Sequence, residues 1–195
     1  MDLSLVYGNN DKQANQLRSG VGGRMKTSSR NCQEWPPQAT NSSMMCDLQS
    51  PDETCFQTGD RRMNQNPQLA ILQIVILREH NRIADALARI NPHWKDEKLF
   101  QEARRINIAQ NQHITYYEYF PIFIGTKKMA ENKLIYLNNT GYVNDYDPCV
   151  NAAILGEFAT AAFRFFHTLI VGFLQQMTED RTVVNSLRLS DWLNR

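Results

Sequence analysis

The chain has 195 residues, of which 42% are hydrophobic, with a formal net charge of +1 and a pI near 7.7. This length corresponds to one globular domain or to part of a larger one. The net charge is close to zero and the sequence has no cluster of basic residues, so nucleic acid is not an expected partner. The start, MDLSLVYGNN, lacks the basic and apolar regions of a signal peptide.

Residues 1–65 have the composition of loops, with segments such as VGGR and EWPPQATNSS, and we expect one short helix around 13–18. So long a loop-rich stretch usually wraps a site or is held by something else. Asn41 begins an Asn-Ser-Ser glycosylation sequon. Cys46 and Cys55 allow a local disulfide in a secreted protein, or two free thiols in a cytosolic one.

Helical spacing of apolar residues begins after Pro67 and predicts a first helix over 67–90, stopped by Asn91-Pro92. A second helix is predicted over 96–119, ended by Pro121 and Gly125, and is followed by a loop-like stretch. A third, over 150–176, is apolar nearly all round and should be central. The predicted fold class is therefore mainly α, with almost no strand signal.

The apolar run from Ala152 to Leu174 needs a choice between a buried helix and a membrane span. It contains Glu157, Arg164 and His167, whose side chains are costly at the centre of a bilayer. We therefore predict a buried helix and no membrane span.

Four histidines are candidates for chemistry: His80, His93, His113 and His167. No two lie three or four residues apart, so a multi-histidine metal site is not expected. A lone histidine on an apolar helix, such as His167, is more often a hydrogen-bonded core residue than a ligand. A single histidine on a buried helix is also what a haem iron requires.

The segment GDRRMNQNP, from Gly59 to Pro67, places two arginines just before a helix N-terminus. The helix dipole disfavours cations there. Either both arginines are solvent-exposed, or one of them is directed at a site. There it could stabilise negative charge on a bound peroxide as its O–O bond breaks.

Four blocks, in one order, resemble the animal haem peroxidases, closest to the invertebrate chorion-peroxidase and peroxidasin-like branch. They are DLSLVYGN, CFQTGDRRMNQNPQLAILQIVILREHNRIA, EARRINIAQNQHITYYEYFPIFIG and EFATAAFRFFHTLI. The resemblance implies a partial haem-peroxidase domain over 1–195, mainly α, with long helices and a loop-rich N-terminal third. It would comprise a calcium-loop end and loops over 1–66, a helical core over 67–176 and an unassigned tail over 177–195.

Residue roles follow from the same resemblance. His167 matches the proximal ligand of the iron of haem b, and Arg62, rather than Arg61, matches the distal arginine. Arg164 matches a residue near the haem edge. On this basis we expect His167 and Arg62 to face a common cavity in which a haem sits.

Asp2 and Ser4 match two ligands of the family's calcium site, so the chain holds a partial site whose affinity should be poor. The other calcium ligands and the distal histidine are expected upstream, and the asparagine that bonds the proximal imidazole is expected downstream. In the mammalian branch a glutamate and a methionine bond covalently to haem. Gln65 and Asn66 stand at those positions and cannot form these bonds.

The resemblance implies a haem-dependent peroxidase, incomplete in this chain, that reduces hydrogen peroxide and oxidises a small or protein-bound donor such as tyrosine. The process would be a response to oxidative stress or cross-linking of extracellular matrix or eggshell. It also implies a secreted parent protein, a Cys46–Cys55 disulfide and a glycan at Asn41. One alternative is a non-catalytic remnant serving as an interaction or adhesion module. Another, a cyclooxygenase-like fatty-acid oxygenase, fits the Arg-Glu-His-Asn block less specifically.

Overall fold

The computed structural model describes residues 1–137 and 140–195. It is mainly helical, with 49% helix and few strands, which confirms the predicted fold class. The chain divides into two compact units. The first comprises Met1–Gly125 with Trp192–Arg195, and the second comprises Thr126–Asp191.

The first unit begins with short elements joined by loops, as its composition predicted. These are α1 (Ser4–Tyr7), α2 (Asp11–Leu17), β1 (Ser28–Arg30), β2 (Gln33–Trp35), α3 (Ser42–Met45) and a 3-10 turn (Arg61–Asn64). The strands β1 and β2 form an antiparallel hairpin in which Ser28 pairs with Trp35. The predicted local disulfide joins Cys46 to Cys55, with the Cα atoms 5.9 Å apart, and is confirmed.

Two long helices form the framework of this unit, and the first has the predicted bounds. Helix α4 runs from Pro67 to Ile90. The side chain of Asn66 accepts a hydrogen bond from the backbone N–H of Leu69 at 2.9 Å, and Pro67 occupies the first turn, where its missing N–H costs nothing. The local sequence alone therefore sets where this helix begins.

The second long helix continues past its predicted end at residue 119. It consists of α5 (Asp96–His113), a π-helical turn (Ile114–Tyr119) and α6 (Phe120–Ile124). Across the π turn the N–H of Phe120 bonds the carbonyl of Thr115, five residues back. The helix tolerates Pro121 directly after this change of bonding pattern, and it ends only at Gly125, which has a φ of +87°.

The core of the first unit joins α1, α2, α4 and α5. Its buried residues are Leu3, Val6, Tyr7, Leu17, Met25, Leu77 and Phe100. The loop after α2 packs closely on the start of α5 at Gly23, which has a φ of +71°. A Cβ there would lie 2.5 Å from the backbone nitrogen of Phe100, so only glycine fits.

The prediction of a third helix over 150–176 is wrong, because the second unit has shorter elements there. The unit contains α7 (Thr126–Glu131), α8 (Gly156–Thr160), a 3-10 helix (Ala162–Leu169) and an antiparallel hairpin of β3 (Phe173–Met177) and β4 (Val183–Arg188). The helical core therefore does not run to residue 176, and the tail beyond 177 contains a strand.

The physical reason lies in burial. A long apolar helix is stabilised by packing its side chains, and the described side chains from 150 to 165 are all exposed. Local polar contacts instead close the β3–β4 turn, where Thr178 N donates to Thr182 O at 3.0 Å. No helix of the described residues has the length and apolarity that crossing a membrane requires.

Candidate functional site

Arg62 is held by a carboxylate two residues before it. The side chain of Asp60 caps the 3-10 turn by accepting from the backbone N–H of Arg62 at 2.8 Å. Its two oxygens also accept from Arg62 Nε at 3.0 and 3.1 Å and from Nη2 at 2.5 Å. The hydrogen bond from the guanidinium lowers the pKa of Asp60. The anion that compensates a cation at this position is therefore Asp60.

This arrangement leaves Arg62 oriented but accessible. Its side chain is 62% exposed, and the bonds to Asp60 use Nε and Nη2 but not Nη1. A guanidinium fixed on one side by a carboxylate can still donate from Nη1 to a small anion or to a peroxide oxygen. Asp60 thus supplies the orientation, and Nη1 supplies the free donor.

Arg62 lines an open pocket of about 430 Å³ in the first unit. The lining residues are Ser43, Met44, Met45, Cys46, Asp47, Arg61, Arg62, Gln65 and Asn194. Two backbone hydrogen bonds tie its walls together: Asp47 N donates to Asn194 O at 2.6 Å, and Asn194 N donates to Gln65 O at 3.1 Å. The disulfide therefore anchors one wall of the pocket, and the arginine segment forms another.

Gly59 brings the Arg62 segment against the predicted calcium-loop end. A Cβ at Gly59 would clash with the carbonyl oxygen of Ser4 and the backbone nitrogen of Gly8. Gln13 Nε2 also donates to Gly59 O at 2.8 Å. Two of the blocks that were recognised separately in the sequence are thus in contact. The glycine of the Gly-Asp-x-Arg pattern was the signal for this close approach.

Asp2 and Ser4 satisfy each other locally. Asp2 Oδ1 accepts from the backbone N–H of Ser4 at 3.0 Å, and this bond lowers the pKa of Asp2. Within residues 1–137 and 140–195, no group of three or more His, Cys, Asp or Glu side chains converges to hold a metal. The partial calcium site therefore stays a prediction.

His167 and Arg164 lie on the 3-10 helix Ala162–Leu169 of the second unit, and both side chains are exposed. The expectation that His167 lies on a buried helix is therefore wrong. Phe163 and Phe165 on the same turn are 47% and 56% exposed. Because His167 and Arg62 belong to different units, their common cavity stays a prediction, as do the roles of His167 and Arg164.

The histidine that the first unit does bury is His80, which is 0% exposed. Its Nδ1 accepts from the hydroxyl of Tyr7 at 2.9 Å, and its Nε2 donates to the carbonyl of Gly23 at 2.9 Å. Asn107 Nδ2 donates to the Tyr7 oxygen at 2.8 Å and to Ile76 O at 3.1 Å. Burial lowers the pKa of His80 to about 4 and raises that of Tyr7. His80 is therefore a neutral structural residue.

The neighbours of His80 in the Arg-Glu-His-Asn block have the same structural role. Asn81 bonds both backbone groups of Met25, accepting from its N–H at 2.8 Å and donating to its carbonyl at 3.3 Å. Arg78 Nε donates to the carbonyl of Glu34 at 2.6 Å. The block fixes the loop and hairpin of residues 23–34 on α4. His80 and Asn81 share a helix face with buried Leu77, and polar residues on an apolar face were the sequence signal from which a buried network could have been predicted.

Comparison with known proteins identifies the family of this fold and site. The family model described as animal haem peroxidase matches residues 1–195. The chain is 54% identical to a peroxidase of Drosophila melanogaster over 196 residues, covering 100% of the chain and 28% of that protein. It is 41% identical to the chorion peroxidase of the same organism, covering 98% of the chain and 23% of that protein. The chain thus spans about a quarter of the length of these relatives.

Solved structures agree with the family model. Peroxidase A from Dictyostelium discoideum matches with a TM-score of 0.78 at 31% identity, over 100% of this chain and 36% of that one. A fatty acid alpha-dioxygenase from Oryza sativa matches with a TM-score of 0.71 at 19% identity, over 98% of this chain and 33% of that one, and shares the fold alone. The chain belongs to the animal haem peroxidase family.

Proposed function

We propose that this chain is part of a haem-dependent peroxidase, which reduces hydrogen peroxide while it oxidises a donor. Family membership over the whole chain supports the reaction class. The observation that carries the proposal is the guanidinium of Arg62, oriented by Asp60 and exposed at a pocket. Arg62 is also the residue that the family pattern assigns to the distal side of the haem.

The residues of the second unit fit a haem ligand set. A haem requires one imidazole that can reach iron and apolar surface against its ring. His167 offers an exposed imidazole, and Phe163 and Phe165 on the same turn offer exposed aromatic surface. In this proposal His167 ligates the iron, and Arg164, three residues before it, contacts the haem edge.

The bound haem would supply the redox chemistry. Arg62 would bind the peroxide by donating from Nη1, and its positive charge would stabilise negative charge on the peroxide oxygen. Asp60 would keep the guanidinium in one orientation, so little reorganisation is needed during the reaction. Arg62 is therefore a catalytic residue in this proposal, and Asp60 positions it.

A secreted parent protein is part of the proposal. The Cys46–Cys55 disulfide is typical of proteins made in an oxidising compartment. Asn41 is exposed, as a glycosylated asparagine must be. The donor would be a small or protein-bound phenol such as tyrosine, and the process would be an oxidative-stress response or cross-linking of matrix or eggshell.

The test compares Arg62→Ala with Arg61→Ala, both in the haem-loaded chain. Arg61 is the adjacent exposed arginine, and Asp60 makes its hydrogen bonds to Arg62 instead. We expect the rate of peroxide consumption to fall about 100-fold in Arg62→Ala, as for the loss of one charge-stabilising donor. Arg61→Ala should stay within about twofold of the native rate. Equal losses in the two variants would contradict the assigned role.

A further inference from the structure

A second cavity in the first unit lies outside the proposed peroxide site. It is a groove of about 590 Å³ between the β1–β2 hairpin, the segment around Phe56 and the residues near Trp192. The rings of Trp35 and Phe56, which both line it, are parallel within 6° with centroids 5.8 Å apart. Trp192 also lines the groove and is 37% exposed. The Cζ atoms of Arg78 and Arg195 lie over the rings of Trp35 and Trp192, each 5.0 Å from the ring centroid. The groove therefore has three aromatic rings along its walls, and the ring surface left for a ligand is mainly that of Phe56 and Trp192.

Both hydrogen-bond donors and hydrogen-bond acceptors surround these rings. Arg30 and Asn31 supply donors, and Asp52 supplies acceptors. The guanidinium of Arg30 reaches across the groove to the carbonyl of Asp52 at 3.3 Å. Arg195 forms an ion pair with Glu53, so the charged side chains of the lining balance.

We propose that this groove binds a neutral saccharide. A pyranose ring has apolar C–H faces that pack on aromatic rings, and its rim of hydroxyls both donates and accepts hydrogen bonds. That combination matches aromatic walls bordered by mixed polar groups. A phenol carries a single hydroxyl and could pair with few of these polar groups, whereas a saccharide could pair with several. A charged ligand would meet side chains of the same sign as well as of the opposite sign, so part of the lining would repel it.

This site is independent of the proposed peroxidase reaction, since no residue of the groove belongs to the Arg62 pocket. A protein with both sites would bring an oxidising centre to a polysaccharide surface. The saccharide site would then determine where oxidation takes place and would not alter its chemistry.

Tryptophan fluorescence tests the proposal directly, because the chain has three tryptophans and two of them line the groove. The third, Trp94, lies elsewhere, with Lys98 Nζ 4.6 Å from its ring centroid. The full chain is titrated with chitohexaose and with cellohexaose, with p-cresol as the phenolic comparison. We expect saturable quenching by at least one of the saccharides, and the same titration in Trp94→Phe.

Trp192→Ala and Asp52→Ala are the informative variants, because both side chains are exposed and their removal spares the packed pair of Trp35 and Phe56. Each should weaken saccharide binding about tenfold, the loss of one aromatic or polar contact. The proposal is overturned if neither saccharide binds at millimolar concentration. It is also overturned if both variants bind with native affinity, or if p-cresol binds and the saccharides do not.

Discussion

Replacing His80 with Gln should flatten the dependence of stability on pH between 7 and 5. The folded chain holds the pKa of His80 at about 4, against 6.5 for the free side chain. As pH falls below 6.5, His80 binds a proton in the unfolded chain but not in the folded chain, so the free energy of unfolding decreases. This stabilisation is therefore present above pH 6.5 and is lost as pH falls towards 4. The two pKa values correspond to a loss of about 2 kcal/mol between pH 7 and pH 5, and about 3 kcal/mol by pH 4.

Urea unfolding followed by tryptophan fluorescence measures this term, since all three tryptophans lie in the first unit with His80. The decrease in unfolding free energy from pH 7 to pH 5 is compared between the native chain and His80→Gln. Carboxylates contribute equally to both chains and cancel in the difference. His113→Gln, at an exposed histidine, should behave like the native chain. Indistinguishable decreases in the native and His80→Gln chains would refute the reasoning.

Two further predictions concern the packing of the candidate site. Gly59→Ala should destabilise the chain by about 1–3 kcal/mol in urea unfolding, because the new Cβ clashes with the backbone of α1. Unchanged stability in this variant would contradict the close approach. Removing the disulfide by Cys46→Ser should cost roughly 2–3 kcal/mol by the same assay, as expected for a short loop. Cys32→Ser removes an exposed free thiol and should be neutral, so an equal loss there would disprove a specific role for the disulfide.

The parts of the fold that the sequence predicted depend on signals between near neighbours. Asn66-Pro67 and Asn91-Pro92 fix the ends of α4 through a cap and a backbone restriction, and the structure has the helix at those bounds. Cys46 and Cys55 are close in sequence, so their pairing needed only a turn. The π-helical turn was missed, because nothing near Pro121 shows that the helix changes its bonding pattern there.

Interactions between distant residues were not predictable in the same way. The buried network of His80 joins residues that are far apart in the sequence. His80 lies 57 residues from Gly23 and 73 from Tyr7, and Tyr7 lies 100 residues from Asn107. The apolar run around His167 led to the prediction of a buried helix, which is wrong, because apolarity does not specify which surface would cover a helix. The described side chains there are exposed, and a 3-10 helix and a hairpin form instead.

The role of His167 as the haem ligand is the central claim, and a haem titration of the purified chain tests it most directly. The absorbance of the Soret band is followed in the native chain, in His167→Ala and in His113→Ala and His93→Ala, which remove exposed histidines elsewhere. His80 is unsuitable as a control, because its burial makes its replacement a change to the core. We predict a Soret band that His167→Ala abolishes and that both control variants retain; an unchanged spectrum in His167→Ala would contradict the account.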